Sequence, residues 1–120
     1  MGNDPGRPDL ITVNAMSWIY LFLAGLLEII WASFMKQSAG FTRLVPSLIT
    51  AVALIDSFVL LALAMRTLPL GTAYTVWTGI GAVGAFLVGI WIFGEPVNAA
   101  RLIAAGLIVA GLLLMKLSSR

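Results

Sequence analysis

Four long apolar runs, separated by short polar punctuation, make up most of this chain. The first, Trp18–Met35, reads Trp-Ile-Tyr-Leu-Phe-Leu-Ala-Gly-Leu-Leu-Glu-Ile-Ile-Trp-Ala-Ser-Phe-Met and carries one charge, Glu28. Three more follow at about Leu44–Met65, Gly71–Phe93 and Ala99–Leu117. Each is near the ~20 residues that a helix needs to cross a hydrocarbon core of ~30 Å. The bilayer offers backbone groups no water, so each run is predicted to be a helix, the first over roughly Ser17–Met35. The punctuation is turn-like. Lys36-Gln-Ser-Ala-Gly-Phe-Thr-Arg43 places Gly40 where a helix C-cap or turn is needed. Arg66-Thr-Leu-Pro-Leu70 and Gly94-Glu-Pro-Val-Asn98 close the other two gaps. Pro46 falls in the first turn of the second helix, where its missing N–H costs little. The expected fold is an all-α membrane protein with four transmembrane helices per chain and no soluble domain.

Met1–Ala15 breaks the pattern. Gly-Asn-Asp-Pro-Gly-Arg-Pro-Asp is polar and cannot build a core, so residues 1–15 read as a disordered extension with Met16 a candidate start. Residues 16–120 then form the four-helix transmembrane domain.

Composition strengthens the membrane reading. The 120 residues are 61% hydrophobic and 10% charged, a balance outside the range of soluble domains. With no cysteine and no histidine, disulfides, thiol chemistry and most zinc or haem sites are excluded, and no cofactor or metal is expected. Proton chemistry falls to carboxylates or phenols. The seven Lys and Arg are scattered singly between apolar runs, which suits interfacial anchoring and not nucleic acid. Neither a nucleophile–base pair nor a metal-ligand cluster is present, so an enzyme is not expected.

The loop charges bear on assembly. With four spans, Arg7, Arg66, Lys116 and Arg120 share one side of the membrane, and Lys36, Arg43 and Arg101 the other. Without the extension the two sides balance, and the positive-inside rule gives almost no preferred orientation. A chain that inserts both ways can form an antiparallel dimer, an inverted repeat built from one sequence. Four helices are few for enclosing a solute path; eight, with two copies of Glu28, suffice.

Candidate chemistry centres on Glu28. A lone carboxylate at mid-bilayer costs at least a few kcal/mol, and such acids mark ion or proton paths. Trp31 and Ala24 share its helix face, and Gly25 and Ala32 keep the neighbouring surface small. The Trp31 indole can donate its N–H or present its ring to a cation. On the second helix, Ser57 can donate to a carboxylate or bond back to its own helix, and Asp56 is a second intramembrane acid. Adjacent helix positions point about 100° apart, so these two cannot face one point. On the third helix Tyr74 and Trp77 share a face, the Tyr74 hydroxyl seeking a partner such as a carboxylate. Gly81, Ala85 and Gly89 form a small-residue stripe read as packing or bending, and Gly106 and Ala110, with Gly111 beside them, read as subunit packing on the fourth helix.

A shared, partly desolvated carboxylate site binds protons or a cation and resists holding both. That exclusion is sufficient for antiport, provided the empty deprotonated dimer does not readily switch sides. A planar guanidinium suits paired carboxylates through parallel bidentate bonds.

Four stretches carry a family resemblance: Ala-Gly-Leu-Leu-Glu-Ile-Ile-Trp (24–31), Lys-Gln-Ser-Ala-Gly-Phe-Thr-Arg-Leu-Val-Pro-Ser (36–47), Leu-Pro-Leu-Gly-Thr-Ala-Tyr-Thr-Val-Trp-Thr-Gly-Ile-Gly-Ala-Val-Gly-Ala (68–85) and Gly-Glu-Pro (94–96). From Met16 onward the chain resembles the small multidrug resistance transporters, and Trp31 resembles their guanidinium-exporting branch. The resemblance implies an antiparallel, dual-topology homodimer in the cytoplasmic membrane, exporting guanidinium in exchange for protons by alternating access. Glu28 would be the shared proton and cation ligand, and Trp31, Ser57, Tyr74 and Trp77 its surround. The fourth helix would form much of the dimer contact, and the third would bend at its glycines. Asp56 departs from the family, where this position is usually apolar. The rival readings are export of quaternary ammonium and other hydrophobic cations, and a non-transporting membrane subunit.

Overall fold

The computed structural model describes residues 10–118. They form four helices, α1 (Leu10–Gln37), α2 (Leu44–Ala64), α3 (Leu70–Trp91) and α4 (Ala99–Ser118), each long and apolar enough to cross a membrane. The four expected helices are present, with ends close to those read from the sequence. The exception is the start of α1, which reaches back to Leu10. Residues 10–15, expected in the extension, are therefore helical. Extending a formed helix costs far less than nucleating one, and the following span supplies the nucleus. The rest of the expected extension, residues 1–9, lies outside the described residues.

α1 is the central element. It packs along α2 and along α3; α2 meets α3 mainly around Trp77, and α4 lies chiefly against α3, reaching α1 where Lys116 covers the Trp18 ring. The buried core joins Leu21 and Ala24 of α1, Leu61 and Ala64 of α2, Leu68 of the following turn, and Ala73, Val76 and Trp77 of α3. Three of these residues are alanines, Ala24, Ala64 and Ala73, one on each of α1, α2 and α3, and they let the helices approach closely.

The connections are built from their own side chains. In the α1–α2 turn, buried Ser38 donates to the Met35 carbonyl at 2.7 Å and accepts from the Phe41 N–H at 3.0 Å. This pins three consecutive left-handed residues, Ala39, Gly40 and Phe41. Gly40 is thus a turn residue, one of the two roles its sequence position suggested. Pro46 stands in the first turn of α2 as expected. The hydroxyls of Ser17 and Thr67 tie the start of α1 to the α2–α3 turn. Asn98 caps α4, its Oδ1 accepting from the Arg101 N–H at 2.9 Å.

α4 has no buried residue. A Cβ added at Gly106 or Gly111 would meet nothing within 4 Å, so its small-residue face is free within one chain.

Candidate functional site

Glu28 lies on the face of α1 that meets α3, roughly 14 Å from the C-terminal end of the helix at 1.5 Å per residue. The two helices interlock through side chains seated on glycines. Ile80 of α3 sits on Gly25, where an added Cβ would come within 2.6 Å of it. In return α1 seats Glu28 on Gly81 and Ile29 on Gly84. A Cβ at Gly81 would overlap the Glu28 carboxyl itself. The glycine is therefore what admits the carboxylate to the helix interface.

Within this seat Glu28 is half-buried, yet its Oε1 is sealed from the surface and accepts no hydrogen bond. On the same helix face the Trp31 indole N–H is also buried and unpartnered. A sealed acceptor and a sealed donor close together in sequence are costly, since each loses its solvation without replacement. Such pairs are retained where something else fills the requirement.

Ser57 and Trp77 are brought together, though not as expected. The Trp77 indole N–H donates to the Ser57 hydroxyl at 3.0 Å, and Ser57 donates to the Ala24 carbonyl at 2.7 Å. The alternatives for Ser57 were a bond to the carboxylate or to its own helix; it makes neither and reaches across to α1. Ala24 O is also the acceptor that α-helical geometry assigns to the Glu28 N–H. The relay thus fixes the α1 backbone at Glu28 from two other helices. Trp77 and Ser57 act on Glu28 through the backbone and not by touching its carboxyl.

Tyr74 lies outside the Glu28 seat within one chain. Its side chain is 53% exposed, its ring lies against Trp77 at 5.6 Å, and it lines a cleft of about 490 Å³ between α3 and α4. No hydrogen bond joins it to Glu28 within the chain. The expected burial of this hydroxyl requires whatever covers α3 and α4, which one chain does not supply.

The stripe Gly81, Ala85, Gly89 serves acids as much as helices. Gly81 seats Glu28, and Gly89 lies under the carboxyl of Glu95, whose backbone N–H bonds the Gly89 carbonyl at 3.0 Å. Ala85 lines the adjoining cavity with Lys36, Glu95 and Arg101. α3 runs as one continuous helix through all three. Sequence reading assigned Gly81 to packing or bending and missed its contact with Glu28, because the α1–α3 register is a tertiary fact.

Asp56 stands apart. Ser57 is fully buried while Asp56 is exposed, so the two neighbours diverge as helix geometry requires. Asp56 faces an apolar cleft between α2 and α1, away from the α3 side where Glu28 is seated.

Four helices long and apolar enough to span a bilayer, with a carboxylate seated between α1 and α3, define a multi-pass membrane protein. Residues 16–108 match the family model described as Small Multidrug Resistance protein, and the chain belongs to that family. A guanidinium exporter of Citrobacter freundii is 60% identical over 104 residues, covering 87% of this chain and 99% of that protein. Guanidinium exporters of Salmonella typhimurium strain LT2 and of Proteus vulgaris are 57% and 56% identical over the same length. The expected family and branch are thereby borne out, and these relatives are named as exporters, not enzymes.

Proposed function

We propose that this chain exports guanidinium and small guanidinyl cations across the cytoplasmic membrane in exchange for protons. The working unit is an antiparallel homodimer in which two Glu28 carboxylates face one solute path. The observation that carries the reading is the sealed, unpartnered Oε1 of Glu28 on its Gly81 seat. A desolvated acid with a free acceptor takes up a proton or a donor-rich cation, and the two compete for the same lone pairs. A flat guanidinium offers N–H pairs in the geometry that carboxylates accept. The names of the relatives favour the same substrate.

What one chain leaves open supports the dimer in this reading. α4 has no buried residue, Gly106 and Gly111 are uncovered, and Tyr74 lines the cleft beside it. A second copy laid on this side would bury the Tyr74 hydroxyl and bring in a second carboxylate. Balanced loop charges allow that copy to be inverted. Switching of the access side is then an exchange of conformation between two identical chains, with the glycines of α3 as the bending points.

The test is reconstitution of purified protein into liposomes under an imposed pH gradient. Guanidinium should move against the proton flux, and Glu28→Gln should abolish the movement. Coupled movement of a bulky quaternary ammonium alone would reject the substrate. Transport surviving in Glu28→Gln would reject the site.

A further inference from the structure

Three charged side chains meet at one end of the bundle, roughly 12 Å along α1 from Glu28 by helical rise. Lys36 is in the last turn of α1, Arg101 in the first turn of α4, and Glu95 in the connection between α3 and α4. All three are exposed and line one cavity of about 370 Å³. Its remaining walls are mostly apolar, with Phe86, Val88 and Phe93 among them. The ends of helices of spanning length place it at the boundary between hydrocarbon and water. Trp91 and Ile92, 77% and 68% exposed, add apolar surface at the same level.

These charges are set in place without being paired. The Glu95 N–H bonds the Gly89 carbonyl at 3.0 Å, and the Glu95 carboxyl rests on Gly89, where an added Cβ would come within 2.5 Å of Oε1. Arg101 is held by its N–H on Asn98 Oδ1 at 2.9 Å and by Nη1, which donates to the Pro96 carbonyl at 3.0 Å. That bond uses one of the five guanidinium donors. Among the described residues, no ion pair joins Glu95 to Lys36 or Arg101. Two cations and one carboxylate thus surround an apolar-walled cavity with their attraction for opposite charge unmet.

We propose that this cavity binds the headgroup of a lipid carrying both a phosphodiester and a primary ammonium, the chemistry of phosphatidylethanolamine. The phosphodiester oxygens accept from Lys36 and Arg101, and the ammonium donates to Glu95. The acyl chains run along Trp91 and Ile92. Each protein charge then faces an opposite one. A phosphate without an amine answers the two cations but sets an anion against Glu95. A quaternary amine brings charge but no N–H for the carboxylate. A lone ammonium leaves both cations unanswered. Bound there, the lipid joins the ends of α1, α3 and α4.

The test is lipid retention by the purified full chain in detergent, read by native mass spectrometry with the melting temperature alongside. The probes are dioleoyl phosphatidylethanolamine, phosphatidylglycerol and phosphatidylcholine. Free phosphoethanolamine distinguishes a soluble ligand from a lipid. The wild type should retain phosphatidylethanolamine about fivefold better than either other lipid, the worth of one exposed charge pair. Glu95→Gln should remove the preference over phosphatidylglycerol and leave the melting temperature unchanged. Gly89→Ala, which keeps the acid but displaces its carboxyl, should also remove the preference. Arg101→Gln should weaken retention of phosphatidylethanolamine and phosphatidylglycerol alike. Equal retention of the three lipids by the wild type overturns the proposal, as does a preference that survives in both Glu95→Gln and Gly89→Ala. Competition by free phosphoethanolamine at the concentration of the lipid overturns the lipid assignment. The readout is bound lipid mass and not transport, so it stands whatever the exported cation proves to be.

Discussion

Gly81 and Glu28 occupy each other's space: the carboxyl of one lies where a side chain of the other would begin. Gly81→Ala therefore forces the carboxyl out of its seat without touching the rest of the α1–α3 interface. The expected result is guanidinium transport reduced by about 10–100-fold, in keeping with the cost of displacing a reacting group by about 1 Å. Monodispersity on size exclusion should be retained. Gly84→Ala provides the comparison, since its Cβ meets Ile29 and not an acid. It should lower the melting temperature and spare the substrate affinity.

The Trp77–Ser57–Ala24 relay predicts a coupling energy. Trp77→Phe removes the donor and leaves Ser57 bonded to α1. Ser57→Ala breaks both bonds and orphans a buried indole N–H, at about 1–3 kcal/mol. Once Ser57 is gone, Trp77→Phe should cost less than in the wild type, because there is no bond left to lose. Thermal or denaturant unfolding of the two single variants and the double variant measures this. Additive effects would show that the relay is not one unit.

The α1–α2 turn yields a stability prediction independent of the substrate. The Ser38 hydroxyl bridges Met35 O and Phe41 N and is fully buried. Ser38→Ala leaves the Phe41 N–H without that partner and frees three left-handed residues. A loss of about 1–2 kcal/mol is expected, as for a buried donor left unpaired. Faster amide exchange confined to residues 38–43 would mark the loss as local. Transport per folded molecule should be unchanged.

The chain's own pattern revealed what depends on composition and period, and left unseen what depends on register. Four spans follow from run length, and Glu28 stands out because nothing else in its run is charged. The divergence of Asp56 and Ser57 is a property of any helix. The bond from Ser57 to Ala24 O is different, because which carbonyl lies opposite a serine depends on how α1 and α2 are offset. Gly81 beneath Glu28 is hidden for the same reason. Tyr74 is more than half exposed in one chain, and what covers its hydroxyl depends on a surface that sequence pattern does not reveal. The early start of α1 is not legible in the sequence, because Ile11, Thr12 and Val13 are poor helix formers in isolation and are carried by the span after them.

If protons and guanidinium compete for Glu28, pH must act on binding with a definite sign. Lowering the pH raises the proton-occupied fraction and withdraws lone pairs from the cation. The apparent Kd for guanidinium should then rise as pH falls, approaching about one decade per pH unit for each proton displaced. Binding should release protons in an unbuffered titration. Glu28→Gln should abolish both effects along with binding. Glu28→Asp, shorter by one methylene, should keep an acid but lift it off Gly81, and so keep the pH dependence at weaker affinity. Calorimetry in two buffers of different ionisation enthalpy measures the released protons directly. A guanidinium affinity independent of pH in the wild type would separate cation binding from proton binding and remove the basis for exchange at one carboxylate.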